Sequence, residues 1–186
     1  MMKKSMFFIL LMFSFSLQSQ EITVSGAKFK KKLDIKGDLL NFNGAGLRQK
    51  YGFDLYVSAL YLPAQTMDAN RIINADELQA INIKIISSKV TKDKFNETVQ
   101  EGFLKSSHGK ATAAEKSQFK GFFTAPIKIG DDILIIYKPG KGVAVTINGT
   151  YKGLVPGLDF KKALFSIWLG SSPADEKLKK KMLGKS

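Results

Sequence analysis

The segment "DDILIIYKPGKGVAVTINGTYKGLVPG", residues 131–157, decides the fold because it predicts three consecutive antiparallel strands. Two turn sequences, "PGKG" and Asn148–Gly149, separate its three apolar stretches. Asn-Gly between alternating apolar stretches is typical of a two-residue hairpin turn, since both turn positions take a positive φ. The segment therefore predicts a three-stranded meander in an antiparallel sheet.

The rest of the chain adds further strands and two groups of helices. Alternating apolar residues indicate the strands, and Thr91 before "KDKFNETVQEGFLK" is a typical helix N-cap. The other predicted elements are strands at 22–33, 52–62 and 78–87, a hairpin at 32–46 that turns at Lys36–Asp38, and helices at 66–77, 92–108, 112–123, 158–170 and 174–183. This order predicts an α+β fold in which helices cover one face of an antiparallel sheet. The other face is in water or closed by further strands.

The N-terminus has the pattern of a secretory signal peptide. Lys3 and Lys4 give a positive start, Met6–Phe13 is unbroken and apolar, and a cleavage site near Ser19 or Gln20 follows. The apolar stretch is shorter than the ~20 residues that a membrane span needs. A short N-terminal membrane anchor is the alternative.

We therefore expect an exported protein in which residues 1–20 are the signal peptide and residues 21–186 form a single domain. The chain has no cysteine. This excludes disulfides, a thiol nucleophile and cysteine metal sites, so core packing must supply the stability.

The formal net charge is +13, and the excess is mostly lysine, since Arg48 and Arg71 are the only arginines. The lysines cluster in "KFKKKLDIK", residues 28–36, and in "KLKKKMLGK", residues 177–185. Nucleic-acid readers usually rely on arginine and aromatic platforms, so we expect no nucleic-acid partner. The charge indicates a solvated basic surface, with peripheral contact to an anionic membrane surface as an open alternative.

No motif predicts a cofactor or a metal. "GAG" at 44–46 lacks the full GxGxxG pattern, and we interpret it as a turn before a strand. His108 is the only histidine and lies at a predicted helix end, where an imidazolium meets the helix dipole. A single histidine without cysteines provides too few ligands for a zinc site. Asp131–Asp132 are interpreted as turn residues.

Arg48 lies between two apolar segments of the sequence, with aromatic residues close by. If its side chain points inward it needs an anion, because an unpaired buried charge costs several kcal/mol. A guanidinium can hold a carboxylate with two parallel hydrogen bonds. The alternative is a strand-end arginine in water or paired with Asp54, and the residues alone leave both interpretations open.

The segment "NGAGLRQKYGFDLYVSALYLP", residues 43–63, resembles the chalcone isomerase-like domains, whose bacterial members are exported. "IKIISSKVTKDKFNETVQEGF", "IGDDILIIYKPGKGVAVTINGTYKG" and "FKKALFSIWLG" agree in the same order, so the resemblance runs from Ile22 to Gly184. It implies an open-faced β-sandwich, in which a large antiparallel sheet and a layer of helices enclose a cleft. It also favours a periplasmic location.

The resemblance allows candidate residues to be compared with those of the family. Its members include chalcone isomerases and plant proteins that bind fatty acids, and in both the arginine matching Arg48 stands at the pocket. The threonine of the enzymes matches Tyr56, their catalytic tyrosine matches Phe95, and a helix asparagine matches Gly102. The arginine of the family is present here as Arg48. The hydrogen-bond donors that surround the ketone of the substrate in the enzymes are replaced at the other three positions.

These departures favour a non-catalytic binder of a fatty acid or similar apolar carboxylate. Arg48 would hold the head group, Tyr56 would donate a hydrogen bond, and Phe95 and Val99 would form the wall. Tyr61 is a further candidate, although its spacing from Tyr56 predicts opposite faces of a regular strand.

Two other functions stay open. The first is an isomerase or lyase that acts on an unsaturated carbonyl compound, with Arg48 as the electrophile and Tyr56 as the proton donor. The second is an envelope protein that binds partners through its lysine-rich surface. The sequence does not predict an oligomeric state.

Overall fold

The computed structural model describes residues 20–185. The strands are β1 (Glu21–Val24), β2 (Ala27–Lys30), β3 (Lys32–Ile35), β4 (Asp38–Lys50), β5 (Phe53–Leu62), β6 (Gln79–Ile85), β7 (Asp132–Lys138), β8 (Gly142–Ile147) and β9 (Thr150–Pro156). The helices are α1 (Ala69–Asn74), α2 (Lys92–Lys105), α3 (Ala113–Gly121), α4 (Leu158–Leu169) and α5 (Glu176–Met182). The predicted signal peptide, apart from Gln20, lies outside these residues.

A seven-stranded antiparallel sheet runs from β3 to β9, and its strands lie side by side in chain order. The meander predicted from residues 131–157 is confirmed as β7, β8 and β9. Asn148 and Gly149 form its second turn with φ values of 52° and 76°. The predicted α+β class is confirmed.

One face of the sheet packs against the helices. Each of the five helices contributes apolar side chains to a single core cluster with β5 to β9. The central helix is α4, whose Phe160, Leu164, Phe165 and Trp168 are all buried. Burying side chains of this size stabilises a fold by about 1.5–3 kcal/mol each. Within residues 20–185, no helix is both long enough and apolar enough to cross a membrane.

The opposite face of the sheet carries a second, smaller apolar cluster. Strands β1 and β2 form a separate hairpin, and Phe29 from β2 is buried in this cluster with Tyr61 from β5. The prediction of one strand over 22–33 is therefore wrong. Ser25 and Gly26 take φ values of 46° and 81° and turn the chain back on itself. The apolar alternation changes phase there, from Ile22 and Val24 to Ala27 and Phe29.

Helix α5 packs directly on the backbone of β4. A Cβ atom at Gly44 would lie 2.2 Å from the Lys181 carbonyl oxygen, and one at Gly46 would lie 2.7 Å from Lys181 Cβ. Asn43 strengthens this contact, because its Nδ2 donates to the Met182 carbonyl over 2.9 Å. The "GAG" sequence is therefore not a turn, as the sequence had suggested. It is a stretch of strand where the missing side chains let a helix approach.

Candidate binding cleft

A cleft with a volume of about 370 Å³ opens between α2 and the hairpin formed by β4 and β5. Small-molecule sites commonly have volumes of ~300–1,000 Å³. Its apolar walls come from Leu55, Val90, Phe95, Val99, Ile167 and Trp168. The cleft therefore lies between the sheet and the helix layer, as the resemblance implied.

Arg48 lines this cleft near the end of β4, and it is only 8% exposed. Its Nη1 donates to the Gln49 carbonyl over 2.6 Å and to Asp175 Oδ2 over 3.2 Å. Both of these hydrogen bonds use Nη1, so this nitrogen is held by the protein. The guanidinium also hydrogen-bonds the side chain of Tyr56, which opposes the rise in the pKa of that phenol caused by burial.

Asp175 is the anion that Arg48 requires. The alternative pairing with Asp54 is wrong, since Asp54 accepts a hydrogen bond from the Gln49 side chain instead. Asp175 is the N-cap of α5, and its Oδ1 accepts from the backbone N–H groups of Lys177 and Leu178 over 2.8 and 3.0 Å. The close packing of α5 on β4 thus delivers a carboxylate to Arg48.

The environment of Asp175 favours its ionised form. Burial alone would raise the pKa of Asp175. The backbone N–H groups of Leu178 and Gln49 and the Arg48 guanidinium outweigh this effect and hold the pKa below its usual value. At neutral pH the positive charge of Arg48 is therefore already balanced by Asp175.

Tyr56 lies beside Arg48, because the two residues are direct cross-strand partners of β5 and β4. The Tyr56 hydroxyl is buried and accepts a hydrogen bond from Trp168 Nε1 over 3.1 Å. Burial raises its pKa above the ordinary value, while the bond from Trp168 and the charge of Arg48 oppose this. The phenol is therefore neutral, and its own proton can be donated to a ligand.

Phe95 and Val99 both lie on the buried side of α2 and line the cleft. Thr91 caps this helix as predicted, since its side chain accepts from the Lys94 backbone N–H over 3.3 Å. Phe95 packs against Phe123, with ring centroids 4.8 Å apart. Four predicted site residues, Arg48, Tyr56, Phe95 and Val99, therefore share one cleft.

The fifth predicted site residue, Tyr61, does not line this cleft. It lies on the opposite face of the sheet, and its hydroxyl donates to the Lys30 carbonyl over 2.9 Å. Its place among the ligand-binding residues is corrected accordingly. The odd spacing from Tyr56 on a regular strand is the physical reason.

Two residues that act at the site were not predicted from the sequence, namely Trp168, which lines the cleft, and Asp175, which pairs with Arg48. Trp168 belongs to the apolar pattern of α4, which predicted burial but not a hydrogen bond to Tyr56. Asp175 follows Pro173 and precedes a helix, so the sequence carries an N-cap signal. That signal locates the start of α5 but not the strand on which it packs.

Comparisons with known proteins agree with this architecture. A family model described as chalcone isomerase-like matches residues 21–184. Among solved structures, the fatty-acid binding protein of Arabidopsis thaliana has a TM-score of 0.71 and 17% sequence identity, over 88% of this chain and 96% of that chain. A likeness at this level of identity concerns the fold. A search of curated protein sequences gave no match.

Proposed function

The chain belongs to the chalcone isomerase-like family, and on that premise we propose that it binds a fatty acid or similar apolar carboxylate without transforming it. The observation that carries this proposal is the buried Arg48 beside the apolar wall of the cleft. The other charged residues of the lining are exposed or half-buried, namely Lys50, Lys89, Lys94, Glu97 and Glu101. One charged anchor in a mostly apolar site suits a ligand with an acidic head and a hydrocarbon tail. The Arabidopsis thaliana protein of this fold is described as fatty-acid binding, which supports the same conclusion.

The head group would bind between Arg48 and Tyr56. The edge of the guanidinium formed by Nε and Nη2 can donate two parallel hydrogen bonds to a carboxylate, while Nη1 stays with Asp175. The Tyr56 hydroxyl accepts from Trp168 and can donate its proton as a third bond. The tail would then lie along Phe95 and Val99, where apolar contact excludes water.

The absence of catalysis is proposed from two positions on α2. Phe95 has no hydroxyl with which to orient water or donate a proton. A Cβ atom at Gly102 would lie 2.7 Å from Ile167 Cγ1, so a polar side chain there would force Ile167 to move. Helix α2 therefore presents apolar groups and close packing at the positions where the enzymes of the family have donors.

The second candidate is an isomerase or lyase that acts on an unsaturated carbonyl compound. A neutral Tyr56 beside a cationic Arg48 supports it, because the pair could polarise a ketone and supply a proton. This candidate predicts turnover of an enone, whereas the binder predicts a retained ligand.

Export to a periplasmic compartment belongs to the same proposal, with residues 1–20 as the signal peptide. Its support is the charged, then apolar, then polar order of the N-terminal residues. N-terminal sequencing of protein extracted from its host should begin near Gln20 or Glu21. Recovery of the Met1 terminus in the membrane fraction would contradict export.

Native mass spectrometry of protein purified from its own host tests the binding function directly. We expect a mass increment that matches a long-chain carboxylic acid and is released by organic solvent. A matched Arg48→Ala sample should carry much less of it. A wild-type protein that carries no acid and takes up none on incubation would reject the proposed function.

A further inference from the structure

The turn between β4 and β5 has an unusual residue at its tip. Tyr51 and Gly52 take φ values of 53° and 78°, so both lie in the left-handed region. Glycine, asparagine and aspartate are favoured there, and a bulky side chain is an outlier. The Tyr51 side chain gains no compensating burial, because the residue is 87% exposed. The Tyr51 side chain therefore adds backbone strain to the turn without any burial that would offset it.

The other hairpin tips with positive φ have small, polar or charged residues. The equivalent positions are Ser25, Lys36 and Asn148, each followed by glycine. Only Tyr51 among these four places an aromatic ring in solvent. Backbone strain retained without a packing benefit points to a role outside the folded core.

The ring of Tyr51 is part of a larger exposed surface that we call the hairpin tip, formed by Lys50, Tyr51, Phe53 and Lys89. Phe53 is 49% exposed. Lys50 Nζ lies 5.3 Å from the centroid of the Tyr51 ring, and Lys89 Nζ lies 4.7 Å from that of Phe53. Two exposed aromatic rings, each with an ammonium over it, combine apolar area with positive charge.

The hairpin tip also borders the cleft, since all four of its residues line it. Lys94 adds a third ammonium to the lining of the cleft, where Glu97 and Glu101 of α2 add two carboxylates. The chain as a whole has a formal net charge of +13, which attracts it to anionic surfaces. Aromatic rings and lysines together are typical of protein segments at the boundary between lipid head groups and water.

We infer that the hairpin tip docks on an anionic lipid bilayer, so that the cleft opens toward the lipid. Tyr51 and Phe53 would enter the head-group region, while Lys50 and Lys89 would contact lipid phosphates. A hydrocarbon ligand could then pass between bilayer and cleft without crossing water. The inference rests on the proposed function in one respect, namely that the ligand in the cleft is a lipid.

The test measures partition onto vesicles of phosphatidylcholine with phosphatidylglycerol by co-sedimentation, with pure phosphatidylcholine vesicles as the reference. Tyr51→Asn removes the ring and puts a favoured residue in the turn. We expect partition onto the anionic vesicles to fall about fivefold or more, while the Tm rises. Lys50→Glu should lower it roughly tenfold. A strong fall in partition together with a higher Tm cannot come from unfolding.

Matched controls lie at the other end of β4, about 40 Å away along the strand. Leu39 is 57% exposed there, and Lys36 lies at the tip of the β3–β4 hairpin. Leu39→Ser and Lys36→Glu should each change partition by less than about twofold. All variants keep the same N-terminus, so the residues before Gln20 contribute equally.

Three results would overturn the inference. These are wild-type protein that does not prefer anionic vesicles, Tyr51→Asn protein that partitions like wild type, and Lys36→Glu protein that loses as much partition as Lys50→Glu. Titration with a soluble fatty acid in vesicle-free buffer tests the proposed function separately. Vesicle binding that depends on the hairpin tip, without acid binding, would support the docking surface and reject the proposed ligand.

Discussion

Arg48 and Asp175 lie 127 residues apart in the chain and form an ion pair in which Nη1 and Oδ2 are 3.2 Å apart. Both side chains are largely buried, so water screens the pair only weakly. The charge of the cation that we propose for ligand binding is thus already balanced by Asp175. An incoming carboxylate must share Arg48 with Asp175. Substitutions in this pair should therefore change both the free energy of unfolding and the affinity for the ligand.

Replacing Arg48 should separate ligands by their head group. Arg48→Ala should weaken binding of a long-chain fatty acid by about 1.5–3 kcal/mol, the usual contribution of a charge-assisted hydrogen bond. Arg48→Lys should restore only part of this, because an ammonium cannot form the planar fork. Titration calorimetry with the acid and the corresponding alcohol checks both. Equal acid affinity of wild type and Arg48→Ala would remove Arg48 from the site.

Asp175→Asn should strengthen acid binding. The substitution removes a negative charge beside the head group but keeps a good N-cap for α5, since asparagine and aspartate cap helices equally well. We expect a gain of about 1 kcal/mol for the acid and little change for the alcohol, measured by calorimetry. An unchanged or lower acid affinity would show that Asp175 does not compete for Arg48.

The pair should also make stability depend on pH in the acid range. The pKa of Asp175 is lower in the folded state than in the unfolded state, so its contribution is fully present above the unfolded pKa. That contribution is lost as the pH falls through the folded pKa. Arg48→Ala should lower the free energy of unfolding by about 1–3 kcal/mol near neutral pH, because Asp175 loses its partner. Urea unfolding that shows a variant as stable as wild type would contradict this.

The pairing with Asp175 decides the sign of this effect. An unpaired buried arginine would cost desolvation energy, so its removal would leave the fold unharmed. The structure pairs it, and the same substitution now leaves a carboxylate without a cation. The backbone bonds from Lys177 and Leu178 to Asp175 remain and limit the loss.

Lys161 should contribute to stability through the end of α1. Its Nζ is buried and donates to the carbonyls of Ile72, Ile73 and Ala75 over 2.7, 3.0 and 2.9 Å. These are carbonyls at a helix C-terminus, which lack partners within the helix. Lys161→Met leaves them unpaired and should cost about 1–3 kcal/mol, measured by urea unfolding with circular dichroism.

The same lysine should make stability rise with pH. Burial lowers the pKa of Lys161 to about 7, whereas the unfolded amine keeps its proton up to about pH 10. The unfolded state therefore binds more protons between these values, and stability increases across that window. The increase should be smaller in Lys161→Met. Parallel pH profiles for the two proteins would show that the three carbonyls keep the amine protonated.

Chalcone cyclisation should not exceed the uncatalysed rate. Phe95 replaces a hydroxyl donor and Tyr56 replaces a smaller one, and losing one positioned donor commonly costs on the order of a hundredfold or more. An absorbance assay with a hydroxylated chalcone measures this. Saturable turnover that disappears in Arg48→Ala would favour the isomerase or lyase instead.

Local signals in the sequence predicted most of the fold. Thr91 as an N-cap, Asn148–Gly149 as a turn and the alternation in β6 each depend on neighbouring residues, and all three are confirmed. The break between β1 and β2 was missed, although the apolar alternation changes phase across Ser25–Gly26, from Ile22 and Val24 to Ala27 and Phe29. The phase change and the Ser-Gly turn sequence both mark the break.

The site was only partly predictable for a different reason. Arg48 and Tyr56 are near each other in sequence, and the hairpin between them brings them together as cross-strand partners. The contacts of Asp175 with Arg48 and of Lys161 with α1 span 127 and more than 80 residues. No residue near Asp175 or Lys161 in the sequence indicates which residue it contacts. Lys161 in particular looks like an ordinary surface lysine in "LDFKKALF".

The close packing of α5 on Gly44 and Gly46 has a consequence for folding kinetics. The sheet grows between strands that follow each other in the chain, whereas α5 must close a loop from residue 181 back to residue 44. Contacts of such long range form late, since the entropy of loop closure must be overcome first. We therefore expect Arg48 to gain its counterion only late in folding, after the sheet has formed. A nascent or C-terminally clipped chain would present Arg48 without Asp175, so its affinity for acids would reveal how far folding had progressed.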